Sequence, residues 1–255
     1  MAVPKVAILM ADYGHDPTET AGPYSAFKEA GFDVKFVTEQ GKAPQCDRRM
    51  LEGITQKLLG AKRTYIEQYN TMAASDENQH PLSWSAPGFS LEPFDLVLLP
   101  GGHEKSVRQV IDSPVVHGLL ADYLPRTRKP GSKAVAAVCH GVMALSESKG
   151  ADGKSVIHEC TTTALPARFE QVAFWGTRAF LGDYYKTYGA GSENVEQSVR
   201  RSLADPAKQF KNSINPSPFV VEDDKYNYIS ARFPGDIPLF SEKVVKLVQS
   251  LHSPP

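Results

Sequence analysis

The most informative segment of the chain is Lys133-Ala-Val-Ala-Ala-Val-Cys139-His140-Gly141-Val-Met-Ala-Leu145. Its first half is a short apolar run, which is typical of a strand buried on both faces of a parallel sheet. The run ends at Cys139, Gly141 permits a tight turn, and the residues that follow are typical of the first turns of a helix. The sequence therefore predicts a strand, a turn and a helix, with a thiol at the carboxyl end of the strand.

A thiol in that position has two interpretations. Open α/β sheets bind their ligands beyond the carboxyl ends of their strands, and the N-terminus of the next helix favours a thiolate and an oxyanion. In the first interpretation Cys139 is a nucleophile. In the second it is a buried structural cysteine, because free cysteines are among the most buried residues in proteins. This stretch alone supports both equally.

Other segments predict more of the same sheet and the helices that cover it. They are strands over residues 5–11, 33–38 and 95–99, helices over 20–30, 114–123 and 236–251, and a β-hairpin over 219–232. The order strand, helix, strand at the start implies a right-handed crossover and a parallel sheet. Residues 41–92 and 165–215 interrupt the alternation, and residues 47–70 carry apolar side chains at the spacing of an amphipathic helix. The first insertion is interpreted either as a cap over the site or as a helical decoration or oligomer contact.

Two further motifs form a pattern with the strand-turn-helix segment at Cys139, which is called the elbow below. Glu19 lies at the start of the first helix, and Gly101-Gly102 follows the strand of residues 95–99. Together with Cys139-His140 and the glycine after it, these residues resemble, in order and spacing, the ThiJ/PfpI (DJ-one) superfamily. The Cys-His-Gly form of the elbow is similar to its larger members, the glutathione-independent glyoxalases (glyoxalase III) that also serve as stress chaperones.

The resemblance is close over residues 5–40 and 94–148 and loose over 219–250. It implies an α/β fold, a three-layer sandwich with a mainly parallel central sheet of the flavodoxin-like and glutamine amidotransferase-like kind, with helical insertions. Residues 1–255 are predicted to form a single domain, and the insertions fall at about 41–92 and 165–215.

The resemblance also assigns roles within the site. Cys139 is the predicted nucleophile, His140 its general acid or base, and Glu19 the carboxyl that contacts the sulfur and relays a proton. Gly101 and Gly102 are predicted to bind substrate or its oxyanion, with the amides of Gly102 and His140 as donors. The larger family members orient their histidine with an acid, for which the candidates here are Asp183, Glu222, Asp223 and Asp224.

A dense aromatic stretch follows at residues 168–188. Pockets for organic ligands favour aromatic linings with a few fixed polar groups, so Trp175 and Arg178 are predicted substrate contacts. In that case the pocket accepts carbonyl compounds larger than methylglyoxal. The alternative is that these aromatic side chains serve core or dimer packing.

Composition excludes several other classes of function. Of 255 residues, 41% are hydrophobic and 22% are charged, and the net charge is −1. This near-neutral balance gives no electrostatic basis for binding nucleic acid or an anionic membrane. No apolar run approaches the ~20 residues of a membrane span, and the N-terminus leads directly into a strand, so neither a membrane segment nor a signal peptide is predicted.

The spacing of the cysteines, histidines and glycines predicts neither a metal site nor a cofactor. Cys46, Cys139 and Cys160 are an odd number without metal-ligand spacing, which predicts free thiols in a reducing compartment, the cytoplasm. The histidines lack a spacing such as His-x-x-x-His, although His15 and His103 are placed to line the cleft. Gly101 and its neighbour lack the phosphate-loop pattern.

The sequence thus predicts a cofactor-free enzyme that uses a cysteine on small reactive carbonyl compounds, as in the glyoxalase III conversion of methylglyoxal to lactate. One alternative is a specialised lyase, hydratase or hydrolase that acts on a larger, aromatic metabolite. Another is a holding chaperone or redox sensor without turnover. A homodimer is predicted from the apolar surface of residues 47–70.

Overall fold

The computed structural model describes residues 2–252, so Met1 and residues 253–255 of the predicted domain lie outside the described residues. The strands, in chain order, are β1 (Lys5–Leu9), β2 (Tyr13–His15), β3 (Asp33–Thr38), β4 (Gln45–Cys46), β5 (Leu82–Ser83), β6 (Leu96–Leu99), β7 (Ala134–Val138), β8 (Val220–Glu222) and β9 (Tyr228–Ala231). Seven of them form one sheet in the order β5-β3-β1-β6-β7-β9-β8, and β2 pairs separately with β4. Neighbours in the large sheet are parallel except β8 and β9, which form the predicted hairpin.

Helices cover both faces of this sheet. In chain order they are α1 (Pro17–Glu29), α2 (Arg48–Leu51), α3 (Gly53–Leu59), α4 (Arg63–Ala73), α5 (Asp76–Gln79), α6 (Arg108–Ile111), α7 (Pro114–Tyr123), α8 (Gly141–Glu147), α9 (Ala167–Leu181), α10 (Val195–Ser202), α11 (Pro206–Gln209) and α12 (Ile237–His252), with short 3₁₀ helices at Lys105–Val107, Leu124–Thr127 and Pro234–Asp236. One layer contains α1, α4 and α12, and in the other α6, α7 and α10 pack against α8. The predicted three-layer α/β sandwich is confirmed. No helix within residues 2–252 combines the length and the apolar character that crossing a bilayer requires.

The strand order places the site. The chain leaves β1 to form β3 on one side and returns with β6 on the other side of β1. Ligand crevices of open α/β sheets lie at such a switch point, beyond the carboxyl ends of the strands. The central strands β6 and β7 are buried along their whole length, which explains their unbroken apolar sequences.

The first insertion differs from the single amphipathic helix predicted over residues 47–70. The structure has three helices there, because Glu52 takes an extended backbone conformation, Gly53 has a φ of 80°, and Gly60 ends α3. The last of them, α4, packs against α1, and β5 adds an edge strand to the sheet. The insertion therefore enlarges the core as well as reaching the site.

Candidate active site

The predicted elbow is present at the end of β7. Cys139 has a φ of 57° and is, within residues 2–252, the only non-glycine residue with a positive φ. Such strain is concentrated at functional sites, and a nucleophile on a sharp strand-to-helix turn is one of its known forms. A Cβ on Gly141 would lie 2.1 Å from the carbonyl oxygen of Leu99, so only glycine fits after the turn. The elbow is thus packed directly against the end of β6.

Glu19 reaches this sulfur from the neighbouring part of the sheet. The side chain of Asp16 caps α1 by accepting hydrogen bonds from the amides of Thr18 and Glu19, which fixes the first turn. The Glu19 carboxyl lies beside the Cys139 thiol and accepts the amide of Gly101 through Oε2 at 3.0 Å, while its Oε1 has no hydrogen-bond partner among the described residues. A Cβ on Gly101 would lie 2.8 Å from the backbone nitrogen of His140 and from Cβ of Cys139, so this position requires glycine. The Gly101 amide therefore serves to position the carboxyl.

Burial dominates the electrostatics of this pair. Burial, and next the charge of Glu19, raise the pKa of the Cys139 thiol well above its usual value, against a smaller lowering by the amide of His140. Burial, and next Asp16, raise the pKa of the Glu19 carboxyl in the same way. The dipole of α8 was expected to favour a thiolate, but this helix has only seven residues and desolvation outweighs it. Burial therefore disfavours the charged forms of both the thiol and the carboxyl.

His140 supplies the base that a neutral thiol requires. Its Nδ1 lies 3.4 Å from Sγ of Cys139, and its Nε2 lies 3.0 Å from the hydroxyl of Thr187. That hydroxyl also lies 3.2 Å from the carbonyl oxygen of His103, which can only accept. Thr187 therefore donates its proton to that carbonyl and accepts the Nε2 proton of His140, which leaves Nδ1 free to accept from the sulfur. Burial lowers the pKa of His140 well below its usual value, so the ring is neutral.

The histidine partner is thus a hydroxyl and not one of the four candidate acids. Asp183 pairs with Lys105, Glu222 pairs with Lys243, and Asp224 is exposed. The carboxylate of Asp223 accepts three backbone amides, at residues 161, 225 and 226. Sequence reasoning missed Thr187, because it lies 47 residues from His140 and no local motif marks it.

The two histidines predicted near the cleft have different surroundings. His15 accepts the amide of Ala11 through Nε2 and contacts the carbonyls of Pro100 and Gly101 through Nδ1, so it braces the strand ends. His103 lies beside the elbow, with its ring 4.7 Å from that of His140. Its Nδ1 is buried and has no hydrogen-bond partner among the residues described.

A covering segment, defined as residues 183–188, lies against these histidines. Thr187 contacts His140, and the ring of Tyr185 stacks edge-on at 4.6 Å from that of His103. The hydroxyl of Tyr184 donates to Asp47, which ties the segment to the first insertion. Cys139 is only 2% exposed. In this structure the segment therefore helps to enclose the groups around the sulfur.

Trp175 and Arg178 lie on α9, apart from these groups. Trp175 is 67% exposed, and the Arg178 guanidinium lies 5.4 Å and 5.2 Å from the ring centres of Phe174 and Trp175. Within the described part of the chain, neither forms a hydrogen bond, ion pair or ring contact with Cys139, His140 or Glu19. Their role as substrate contacts stays a prediction. Phe174 instead packs with Met50, Tyr184 and Tyr185.

Known proteins are similar to this chain in sequence or in fold. An uncharacterized protein of Schizosaccharomyces pombe is 28% identical over 247 residues, which cover 96% of this chain and 84% of the relative. A glutathione-independent glyoxalase of the same organism, hsp3102, is 28% identical over 145 residues, which cover 56% of this chain and 55% of that protein. The crystal structure of glyoxalase III from Candida albicans superposes with a TM-score of 0.64 at 14% identity, covering 96% of this chain and 97% of that one. That structure has the same fold.

The sequence pattern of ThiJ/PfpI family-like proteins matches residues 10–228. The match spans the acid after β1, the glycines after β6 and the elbow after β7, which are the residues that carry the resemblance. It also covers most of the chain. The chain therefore belongs to the ThiJ/PfpI-like family.

Proposed function

We propose that this protein converts small 2-oxoaldehydes to 2-hydroxyacids without glutathione, with methylglyoxal to lactate as the reaction to test. The observation that carries the proposal is the contact of Cys139 with a carboxyl on one side and a neutral imidazole on the other. An isomerisation between neighbouring carbons requires a nucleophile and two groups that move protons. Cys139, Glu19 and His140 supply these three functions.

The first half of the reaction makes a covalent adduct. Sγ of Cys139 bonds to the aldehyde carbon while Nδ1 of His140 takes the thiol proton and the Glu19 carboxyl protonates the aldehyde oxygen. The Glu19 carboxylate then removes the hydrogen of that carbon, and the imidazolium of His140 protonates the ketone oxygen. The product is an enediol bonded to sulfur, with Glu19 protonated and His140 neutral.

The second half releases the acid. Glu19 delivers its proton to the former ketone carbon and recovers a proton from the hydroxyl on the carbon bonded to sulfur, which becomes a thioester. Water, deprotonated by His140, attacks the thioester, and the leaving sulfur takes that proton back from the imidazolium. One carbon is oxidised and its neighbour reduced, so no external oxidant and no cofactor enter the balance.

Two observations favour a small substrate over a large aromatic one. The sulfur is buried beside the covering segment. Trp175 and Arg178 contact each other on α9 and make no contact with the sulfur among those described. The names of the glyoxalase relatives support a carbonyl substrate.

The buried thiol also disfavours a redox sensor, since sensor cysteines are accessible. All three cysteines are unpaired, which agrees with the reducing environment of the cytoplasm.

The test is lactate formation from methylglyoxal in buffer free of glutathione. We expect turnover by the wild type, none above background by Cys139→Ser, and wild-type rates for Cys160→Ser, a buried cysteine distant from the elbow. Phenylglyoxal serves as the larger substrate, and we expect the lower kcat/KM for it. Absence of lactate with folded wild-type protein refutes the proposed reaction.

A holding chaperone is the second candidate, favoured by exposed apolar side chains. They lie on α3 (Ile54, Leu58 and Leu59) and on α9 (Val172, Trp175 and Phe180). Such side chains bind unfolded chains by hydrophobic contact. Suppression of client aggregation that survives Cys139→Ser and is lost in Trp175→Asp would establish this activity. Equal suppression by Trp175→Asp and wild type would count against it.

A further inference from the structure

Three metal-ligand side chains meet beside the elbow although they are scattered in sequence. The sulfur of Cys139 and one ring nitrogen each of His103 and His140 lie within 4.8 Å of one another. The two imidazole rings meet edge to face with centres 4.7 Å apart. No sequence motif marks this set, because His103 follows β6 and the other two residues follow β7. They come together only when these two strands pair.

The separations suit a tetrahedral ion. Zinc bonds of about 2.3 Å to sulfur and about 2.0–2.1 Å to nitrogen place neighbouring ligand atoms roughly 3.3–3.6 Å apart. The 3.4 Å between Sγ of Cys139 and Nδ1 of His140 already has this value. The three ligand atoms lie within 4.8 Å of one another, so binding requires the His103 ring to approach by about 1 Å. Its buried Nδ1 is held by no hydrogen bond from the described residues.

The surroundings also suit a metal site. Histidine ligands usually donate their second ring N–H to a fixed acceptor, and Thr187 is that acceptor for His140. The ring of Tyr185 packs against His103 and shields this side from water. Three protein ligands leave a fourth position for water, as in catalytic zinc sites.

We propose that His103, Cys139 and His140 bind one Zn²⁺ ion, which reversibly blocks the nucleophile. Binding forms a zinc–sulfur bond in place of the S–H bond and releases that proton to the solvent. The ion thus occupies both the nucleophile and its base. Binding itself does not depend on the proposed reaction, whereas its inhibitory effect rests on that reaction.

Titration of the reduced protein with Co²⁺ tests the site directly. We expect a thiolate-to-cobalt charge-transfer absorption that saturates at one ion per chain and disappears when Zn²⁺ is added. Cys139→Ser should abolish this absorption. Thr187→Val should weaken binding about 10–100-fold, as loss of an outer partner does, and His103→Gln should weaken it more. His117→Gln and Cys160→Ser, which alter residues outside the cluster, should bind as the wild type does.

Protection from alkylation gives a second readout that is independent of turnover. Zn²⁺ should slow iodoacetamide modification of Cys139 in the wild type and not in His103→Gln, with the modified peptide identified by mass spectrometry. The proposal is overturned if the wild type shows no charge-transfer absorption, or if His103→Gln binds Co²⁺ as tightly as the wild type. These results leave the glyoxalase proposal intact, and absence of lactate formation leaves the metal site intact.

Discussion

Cys139 holds a left-handed backbone conformation that side chains other than glycine rarely adopt. This turn places its sulfur beside a carboxyl, that of Glu19, and a proton acceptor, Nδ1 of His140. Burial raises the pKa of the Cys139 thiol and lowers that of the His140 imidazole, so it disfavours a thiolate–imidazolium ion pair between them. At the scale of single residues, the reactivity of Cys139 therefore depends on the protonation of its neighbours. Glu19 is the acid beside the sulfur, and Thr187 keeps the second proton of His140 on Nε2.

Glu19→Gln should leave the fold intact and reduce lactate formation roughly 10²–10⁴-fold, the usual range for a group that transfers a proton. The amide oxygen of glutamine still accepts the amide of Gly101, whereas it carries no transferable acid proton. Steady-state kinetics and thermal unfolding, measured side by side, check this. Wild-type turnover in the variant would remove Glu19 from the mechanism.

Thr187→Val should lower kcat roughly 10²-fold with little change in KM, since valine keeps the shape and removes the acceptor that holds the His140 tautomer. Thr187→Ser keeps the hydroxyl and should restore most of the activity. Recovery in serine separates positioning of the ring from simple packing. If valine and serine behave alike, the hydroxyl has no part in orienting His140.

At the scale of elements, the site lies between the strand ends of the central sheet and the covering segment. Parallel strands β1, β6 and β7 fix the acid, the glycines and the elbow at one edge of the sheet. The covering segment follows Gly182, whose φ is 60°, and precedes Gly189, whose φ is 94°. Glycine is suited to these conformations and allows a change of backbone direction. Access to the sulfur then depends on the contacts that hold the segment down.

Tyr184→Phe removes one of those contacts, the hydrogen bond to Asp47. Loss of a hydrogen bond to a charged group favours opening by about 10-fold, so iodoacetamide should modify Cys139 about 10-fold faster. Tyr226→Phe is the matched control, because its hydroxyl contacts Arg128 away from the site. An unchanged rate in Tyr184→Phe would show that the segment does not limit access.

The sequence predicts the strand ends and the elbow far better than the residues that contact them from the covering segment and from the loop after β6. Unbroken apolar runs and the Cys-His-Gly turn mark β7 and the elbow, because local chemistry dictates them. Thr187 and His103 reach the sulfur only through tertiary folding, so no local pattern marks their roles. The helix predicted over residues 47–70 is divided because glycines at 53 and 60 override its apolar spacing.

At the scale of the whole molecule, the homodimer remains a prediction. Exposed apolar side chains on α3 include Leu58, which a single chain leaves in water. Light scattering at micromolar concentration should report a dimer for the wild type and a monomer for Leu58→Glu. Val115→Glu changes an exposed apolar residue on α7 and should remain a dimer. A monomeric wild type would reject the prediction.

The proposed reaction requires that Cys139 bonds to the carbonyl substrate during turnover. The most direct measurement is mass spectrometry of protein quenched in acid while it converts methylglyoxal. We predict a mass increase of one methylglyoxal molecule per chain, located on the peptide that carries Cys139 and removed by hydroxylamine, as expected for a thioester. Lactate formation without such an adduct, or with the adduct on Cys46 or Cys160 instead, would show that Cys139 is not the nucleophile.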